Sequence, residues 1–404
     1  MENVECLNQH STFNIQHLTF PSPVGANLEE SSSLPSATVA RMQALAIPLL
    51  LLALLTGPES SAQPAVNVVP GRCAGCDRPY RLGRFQFVDA MHGWSDGFFV
   101  VVSGNHISQY GTILHTNDGG KHWAMLKSVE TYGGDVDPAF WFTGSRGCIA
   151  WPVDYDAMDR FICTNDGGRR WRDLPVNLPR TLVHLRFFDS RHGVAAESTS
   201  DGARFDVTAN GGLTWIDTAV DLAYPDALVF LNPRVGWIAG IRPHHDIFTP
   251  RVFSTVNGGE TWHAATFPAS IVGNPHDLFF VDSERGWLIL WNARKDNARN
   301  ASVLLQTIDG GHSWKEAPPI AAPGGGRLFF EAVRFLSRQI GFVFVTDAGG
   351  IASALATRDG GRTWQKVHLP SAVQSCEIVK DEVWCSSGMD LFQLRPGEAM
   401  PASR

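Results

Sequence analysis

One eight-residue pattern, Thr-x-(Asp/Asn)-Gly-Gly-x-x-Trp, occurs six times in this chain and constrains its fold more than any other feature. The copies begin at Thr116, Thr164, Thr208, Thr255, Thr307 and Thr357, so successive copies are 48, 44, 47, 52 and 50 residues apart. The third position holds Asp118, Asp166, Asn210, Asn257, Asp309 and Asp359, and the last position holds Trp123, Trp171, Trp215, Trp262, Trp314 and Trp364. A repeat of this length with turn-forming residues inside it is typical of a β-propeller, in which each repeat forms one blade.

Each copy predicts a tight hairpin turn. The Thr hydroxyl and the Asp or Asn oxygen can accept hydrogen bonds from backbone N–H groups, and the two glycines can supply the positive φ angles that such a turn requires. The Trp begins the outgoing strand, where its ring can pack against the neighbouring repeat. We expect these residues to be structural, because two copies carry Asn where catalysis or metal binding would need a carboxylate.

A second motif precedes each copy. It consists of an apolar strand, a short polar turn that ends in Gly, and another apolar strand, as in Phe87–Trp94 and Phe280–Trp287. Together the two motifs supply four strands in each repeat, which is the size of a propeller blade.

The end of the chain contains a seventh, incomplete unit. Residues 375–386 and 390–394 predict three strands without a Thr/Asp turn, and residues 66–69 can supply the fourth strand. We therefore predict an all-β, seven-bladed propeller of four-stranded antiparallel blades, closed by pairing of the N- and C-terminal strands. Closure removes the exposed edges that invite aggregation. Six blades with an appended hairpin are the alternative.

The two motifs resemble the Asp-box, or BNR, repeats of sialidase-like and WD40/YVTN-like propellers. Their combination resembles more narrowly the photosystem II stability/assembly factor family and its bacterial relatives, over about Phe85 to Leu394. Asn210 and Asn257 depart from the family's usual Asp. The resemblance implies a scaffold that binds protein partners during assembly of a membrane complex. We expect it to be non-catalytic and monomeric, without cofactor or metal. We expect a bacterial relative with an undefined client.

A carbohydrate-active or glycan-binding propeller is the alternative function, because Asp-box propellers include sialidases and other glycoside hydrolases. Resemblance to a sialidase would imply an Arg-Ile-Pro segment and a Tyr–Glu nucleophile pair. The sequence contains no Arg-Ile-Pro, and none of its five Tyr residues has a matching Glu context. An enzyme should gather buried carboxylates at the mouth of the central channel, whereas a scaffold should present a mixed-charge face.

We divide the chain into a leader (1–62), the propeller (63–395) and a tail (396–404). Residues 44–55 are apolar and are followed by Ser60-Ser61-Ala62, which predicts a signal peptide cleaved after Ala62 and an exported protein. Residues 1–38 are acidic and contain no Lys or Arg, so translation is expected to start near Val39 or Met42. An uncleaved membrane anchor is the alternative.

The net charge of −7 gives no electrostatic signature for nucleic-acid binding.

Six of the seven cysteines follow the leader, and export permits disulfides. We expect Cys376 and Cys385 to face each other across a two-residue turn at Lys380-Asp381. Cys148 and Cys163 fall on consecutive strands of the second blade and could pair. For Cys73 and Cys76 a small-loop disulfide, a redox role and a metal role stay open.

Three further clusters carry weaker predictions. His244 and His245, and the acidic loop with Asp154, Asp156 and Asp159, could contribute metal ligands, but solvated loops are the favoured interpretation. Basic residues recur at several Thr/Asp turns, where they are either ordinary solvated charge or a patch for an acidic partner. They are Lys121, Arg169, Arg170 and Arg362, with Arg172 nearby.

Overall fold

The structure is a computed structural model that describes residues 65–70, 72–73, 81–103, 106–131, 139–141, 145–151, 160–173, 182–189, 191–199, 202–244, 247–295, 298–320, 327–387 and 390–396. The leader, Cys76, the acidic loop and His245 lie outside the described residues. The described residues form 29 β-strands. They include no helix with the length and hydropathy needed to cross a membrane.

The first two strands, β1 (Ala65–Pro70) and β2 (Arg72–Cys73), precede the repeats. Blade 1 contains β3 (Arg81–Phe87), β4 (Gly93–Ser103), β5 (His106–Thr116) and β6 (His122–Thr131). Blade 2 contains β7 (Ala139–Trp141), β8 (Gly147–Trp151), β9 (Arg160–Thr164) and β10 (Arg172–Asp173). Blade 3 contains β11 (Leu182–Phe187), β12 (Gly193–Thr199), β13 (Gly202–Thr208) and β14 (Ile216–Ala219).

The remaining blades follow the same plan. Blade 4 contains β15 (Tyr224–Phe230), β16 (Gly236–His244), β17 (Ile247–Thr255) and β18 (His263–Ala264). Blade 5 contains β19 (Asn274–Phe280), β20 (Gly286–Lys295), β21 (Ala298–Thr307) and β22 (Lys315–Glu316). Blade 6 contains β23 (Leu328–Phe335), β24 (Gly341–Asp347), β25 (Ala352–Thr357) and β26 (Gln365–His368). Blade 7 contains β27 (Ser375–Val379), β28 (Glu382–Ser386) and β29 (Asp390–Arg395).

The first strand of the fold completes the last blade. β1 pairs antiparallel with β29, and Val66 lies opposite Leu394, so the sheet order of blade 7 is β1-β29-β28-β27. This confirms the predicted seven-bladed propeller closed by pairing of the N- and C-terminal strands. Blade 1 differs from the prediction of four strands, because β2 adds a fifth strand parallel to β6.

Two turns lie at the same end of each of the first six blades and are hydrogen-bonded to each other. In blade 1 the N–H of Gly119, in the Thr/Asp turn, donates to the carbonyl of Met91, in the Gly turn, at 2.9 Å. The equivalent bond recurs in blades 2 to 6, from Gly167, Gly211, Gly258, Gly310 and Gly360. These hydrogen bonds therefore join the two repeated turns at one end of each of the six blades.

The Thr/Asp turn closes through side-chain oxygens. The Thr116 hydroxyl accepts a hydrogen bond from the N–H of Gly120 at 2.9 Å and donates to Asp118 Oδ1 at 2.9 Å. The same carboxylate oxygen accepts the N–H of His122 at 3.0 Å. In blade 3 the amide oxygen of Asn210 takes the place of the carboxylate and accepts the N–H of Thr214 at 2.9 Å. Asn and Asp therefore serve the same turn.

The core lies between neighbouring blades and is built on the Phe of the second motif. Phe335 of blade 6 stacks on Trp287 of blade 5 with a centroid distance of 3.6 Å, and Trp364 of its own blade meets it edge-on at 6.3 Å. Gly341 is required beneath this ring, because a Cβ there would collide with Phe335. Trp287 is 2 % exposed, whereas Trp364 is only partly buried. The Trp of the Gly-Trp motif is thus more deeply buried here than the Trp of the Thr/Asp turn.

One local prediction was wrong. His244 does not lie in a loop, because β16 extends through Pro243 to His244, which pairs with Ile247 at the start of β17. The pairing of β16 with β17 thus continues past Pro243.

Candidate functional site

The innermost strands of the blades surround a central pocket of about 420 Å³. Around this part of the ring β15 contacts β19, β19 contacts β23, β23 contacts β27, and β27 contacts β3. Six blades contribute polar side chains to the lining, among them Arg84, His184, Arg186, Asp226, Arg334 and Glu377. Charged groups from distant parts of the chain therefore meet in one cavity.

Arg334 holds one side of the central pocket together. Its Nη1 donates to Asp277 Oδ2 at 2.7 Å, and its Nε donates to the carbonyl of Cys376 at 2.9 Å. The guanidinium also lies 5.7 Å from the centroid of the Phe279 ring. These contacts join blades 5, 6 and 7, so Arg334 stabilises the ring and is the less available group for a ligand.

His184 and Arg186, both on β11, present buried nitrogen atoms to the opposite side of the pocket. Arg186 Nε and His184 Nε2 have no hydrogen-bond partner among the described residues. Burial, together with the charge of Arg84, lowers the pKa of His184 to about 4, so its imidazole is neutral at pH 7. A ligand with carbonyl or carboxylate oxygens could satisfy the donor of Arg186.

Burial raises the pKa of two carboxyl groups in the pocket. Asp226 is exposed to the pocket, yet desolvation by the surrounding protein raises its pKa to about 7. Burial also raises the pKa of Glu377, although the charges of Arg334 and Arg186 act in the opposite direction. At neutral pH Asp226 therefore carries only part of its negative charge in a pocket that also contains Arg84 and Arg186, and this favours an anionic ligand.

The basic residues of the Thr/Asp turns lie away from this pocket. Lys121 is in blade 1, Arg169 and Arg170 are in blade 2, and Arg362 is in blade 6; all four are exposed. Blades 1 and 2 are neighbours, but blade 7 separates blade 6 from blade 1. The structure therefore places Lys121 and Arg169–Arg170 on adjacent blades and Arg362 apart from them.

Two cysteine pairs are bonded in the structure. Cys148 and Cys163 are direct cross-strand partners in blade 2, with their Sγ atoms 2.04 Å apart. Cys376 and Cys385 are direct partners in blade 7, 2.12 Å apart, and flank the turn at Lys380-Asp381. Cys73 lies on β2, but its proposed partner Cys76 falls outside the described residues. In the described part of the chain, no group of three or more His, Cys, Asp or Glu side chains is arranged to hold a metal ion.

Sequence reasoning missed the central pocket, although one signal was present. In the structure Phe187 and Phe335 take the motif position beneath which Gly193 and Gly341 lie, and the residue before each is charged, at Arg186 and Arg334. Because side chains alternate along a strand, a residue next to the inter-blade Phe faces the channel. A charge at this position in an apolar strand therefore indicates a polar channel.

A closed ring of seven blades, with a polar central pocket and Thr/Asp turns on six of them, defines a seven-bladed β-propeller. No protein-family model matches the chain. Over 215 residues it is 26 % identical to the photosystem II assembly lipoprotein Ycf48 of Synechococcus sp. (strain CC9902), covering 52 % of this chain and 56 % of that protein. Over 283 residues it is 23 % identical to the photosystem II stability/assembly factor HCF136, chloroplastic, of Arabidopsis thaliana, covering 63 % and 62 %.

These relatives confirm the predicted resemblance to photosystem II stability/assembly factors, at low identity. In each case the match spans less than two thirds of the relative. A solved structure of YCF48 bound to a D1 peptide superposes with a TM-score of 0.55 at 16 % identity, covering 82 % of this chain and 97 % of that chain. The GH74 xyloglucanase of Xanthomonas campestris superposes with a TM-score of 0.54 at 13 % identity, covering 84 % and 55 %. At these identities the superpositions show a shared fold.

Proposed function

We propose that this protein is a non-catalytic, exported scaffold that binds a segment of a client protein during assembly of a membrane complex. The observation that carries the proposal is the central pocket, where Arg186 presents a buried donor without a partner among the described residues. The raised pKa of Asp226, about 7, reduces the negative charge of the pocket at neutral pH. We infer that it receives an acidic or carbonyl-rich segment of the client.

The relatives support the same role. Both curated relatives are assembly factors by name, and one structural neighbour carries a D1 peptide. A propeller is also a suitable peptide receptor, because a rigid ring loses little conformational freedom when it binds. Export is part of the proposal: the segment that precedes the propeller directs the protein across a membrane. N-terminal sequencing of the protein from its host tests this, and a mature terminus at Gln63 is expected.

The client test combines capture with a matched pair of variants. The tagged protein is recovered from its native host, and subunits of a membrane complex are expected by mass spectrometry. The Arg186→Gln variant should lower the affinity for the recovered client by about tenfold, because a charge-assisted hydrogen bond contributes about 1.5–3 kcal/mol. The control Arg169→Gln/Arg170→Gln alters exposed arginines outside the central pocket and should leave the affinity unchanged.

The variants separate two docking surfaces. If the Arg169/Arg170 variant loses the client and the Arg186 variant keeps it, the basic turns form the docking surface and the central pocket does not. If the protein captures no membrane-complex subunit, the scaffold proposal fails.

A carbohydrate-active role rests on one specific observation. With a pKa near 7, Asp226 could serve as a general acid, since glycoside hydrolysis uses a carboxylic acid of raised pKa. Activity on glycoside substrates that disappears in Asp226→Asn would support this second function. Absence of hydrolysis across plant and bacterial glycans would leave the scaffold role in place.

A further inference from the structure

The two bonded cysteine pairs have the same backbone setting but different surroundings. In both pairs the cysteines are direct cross-strand partners with Cα atoms 4.1 Å apart. Cys376 and Cys385 are 3 % and 0 % exposed and lie in the apolar core between blades 6 and 7. Cys148 and Cys163 both line a pocket, and Cys163 is only partly buried. The Cys376–Cys385 disulfide is therefore shielded from solvent and the Cys148–Cys163 disulfide is accessible, so the first serves as an internal control for the second.

In blade 2 an arginine is the cross-strand neighbour of one of the two bonded cysteines. Cys148 on β8 is paired with Cys163 on β9, and Cys163 is paired with Arg172 on β10. Directly paired residues in a sheet point to the same face, with Cβ atoms about 4.5–5.5 Å apart. Arg172 therefore starts beside Cys163, and both residues line the same pocket.

The pocket beside this disulfide has a volume of about 210 Å³ and lies between blades 2 and 3. Its apolar side is formed by Phe161 and Phe187, and its basic side by Arg146, Arg170 and Arg172, all three exposed. The disulfide thus lies where an apolar surface meets three guanidinium groups. This suits a small molecule that combines a thiol with carboxylate groups.

We propose that Cys163 is a thiol-exchange site for low-molecular-weight thiols that carry carboxylates, of the glutathione class. The thiolate of the small molecule attacks Sγ of Cys163 and forms a new S–S bond. The Cys148–Cys163 bond breaks, its electron pair leaves on Cys148, and the Cys148 thiolate takes a proton from water. Renewed attack by Cys148 on Sγ of Cys163 restores the disulfide and releases the small thiol.

Two physical effects favour this site. The arginines raise the local concentration of an anionic thiol, and their charge stabilises the thiolate that attacks. Both sulfurs border the pocket and the apolar cluster between blades 2 and 3, but Cys163 is the more exposed of the two and is the one paired with Arg172, whereas Cys148 is 8 % exposed. The adduct is therefore expected on Cys163, with Cys148 as the free thiol.

The experiment treats the oxidised full-length protein with glutathione or with cysteamine, a cationic thiol, followed by acid quench and peptide mass mapping. Glutathione should appear on Cys163, while Cys376 and Cys385 stay bonded to each other. Arg170→Gln/Arg172→Gln should slow the reaction with glutathione by about tenfold and should not slow the reaction with cysteamine. A general loosening of blade 2 would accelerate both reactions, so the charge dependence separates the two causes.

Three results would overturn the proposal. They are reaction at Cys376 or Cys385 as fast as at Cys163, equal slowing of both thiols in the arginine variant, and no adduct with glutathione in the folded protein. The thiol-exchange proposal does not depend on the scaffold function. The result of the client-capture test leaves the thiol-exchange proposal unaffected, and the reverse also holds.

Discussion

Trp237 of blade 4 lies flat against Phe280 of blade 5, with ring centroids 3.5 Å apart and an angle of 6° between the ring planes. The indole Nε1 also donates a hydrogen bond to the carbonyl of Gly310, in the Thr/Asp turn of blade 5, at 2.8 Å. One side chain therefore joins two blades by both packing and a polar contact. The residues of the two motifs that the sequence repeats meet at this contact.

Replacement of this tryptophan should destabilise the ring. Trp237 is 1 % exposed, so Trp237→Ala should lower the free energy of unfolding by about 3–5 kcal/mol. Trp237→Phe keeps a stacked ring but loses the bond to Gly310, and should cost about 1–2 kcal/mol. Urea unfolding followed by tryptophan fluorescence measures both changes. Ile308→Ala, at an exposed position in the adjoining turn, is the control and should change stability by less than about 0.5 kcal/mol.

A carboxylate in a Thr/Asp turn should be replaceable by an amide but not by a methyl group. Asp359 Oδ1 accepts hydrogen bonds from the N–H groups of Arg362 and Thr363, both at 2.9 Å. Asn210 and Asn257 show that an amide oxygen fills this role beside a Thr. Asp359→Asn should therefore change stability by less than about 1 kcal/mol, whereas Asp359→Ala should cost about 1–3 kcal/mol.

The same pair of variants predicts a pH dependence. Burial acts to raise the pKa of Asp359, but hydrogen bonds from Thr363 and Thr357 outweigh it and lower the pKa to about 2. The folded pKa is thus below the ordinary value of 3.8, so this group stabilises the fold above about pH 4 and loses its effect as the pH falls towards 2. The melting temperature of Asp359→Asn should fall less steeply in that window. Parallel melting curves for the variant and the parent would contradict the assignment.

Asp226 should have the opposite pH dependence. Its pKa is raised to about 7 in the fold, so protonation favours the folded state. The favourable contribution is complete below about pH 4 and is lost as the pH rises through 7. Asp226→Asn should therefore melt at a higher temperature than the parent at pH 8 and at the same temperature near pH 4. An equal difference at both pH values would mean that shape, and not titration, is responsible.

The turn of blade 7 offers a stabilising change. Lys380 has a φ angle of 58°, and it is the one non-glycine residue with positive φ among those the structure describes. Because a side chain is disfavoured in this conformation, Lys380→Gly should stabilise the protein by about 0.5–1 kcal/mol. Asp381→Gly is the control, since its φ is not positive and added backbone freedom should destabilise it. Thermal unfolding of the oxidised protein measures both; stabilisation by the control variant alone would contradict the argument.

The fold could be predicted from the sequence because the residues that specify each turn are close together in the chain. Each Thr/Asp turn specifies a hairpin within eight residues, and six such hairpins at a regular spacing leave few architectures besides a propeller. The pairing of β1 with β29 followed from the need to complete a fourth strand. β2 could not be predicted, because Arg72 and Cys73 are too few residues to show a pattern, and their pairing with β6 depends on where β1 leads the chain.

The central pocket could not be predicted in the same way. Arg186 and Glu377 are far apart in sequence and meet only because blades 3 and 7 face one channel. Their pKa values depend on burial by the other blades, which no local motif specifies. The disulfide partners were predictable, since Cys376 and Cys385 lie symmetrically about a two-residue turn. The exposure of Cys163 was not, because it depends on the short strands of blade 2 and on Phe187 of blade 3.

The pairing of β1 with β29 also determines when the protein can finish folding. During synthesis β1 emerges before the other described strands of the ring, but β29, the strand beside which it belongs, is the last of them to be made. For most of translation the outer edge of blade 7 is therefore without the strand that covers it, and both are open to aggregation or to a chaperone. If translation stops before Asp390, the other blades can form but the ring cannot close, because β1 has no partner strand.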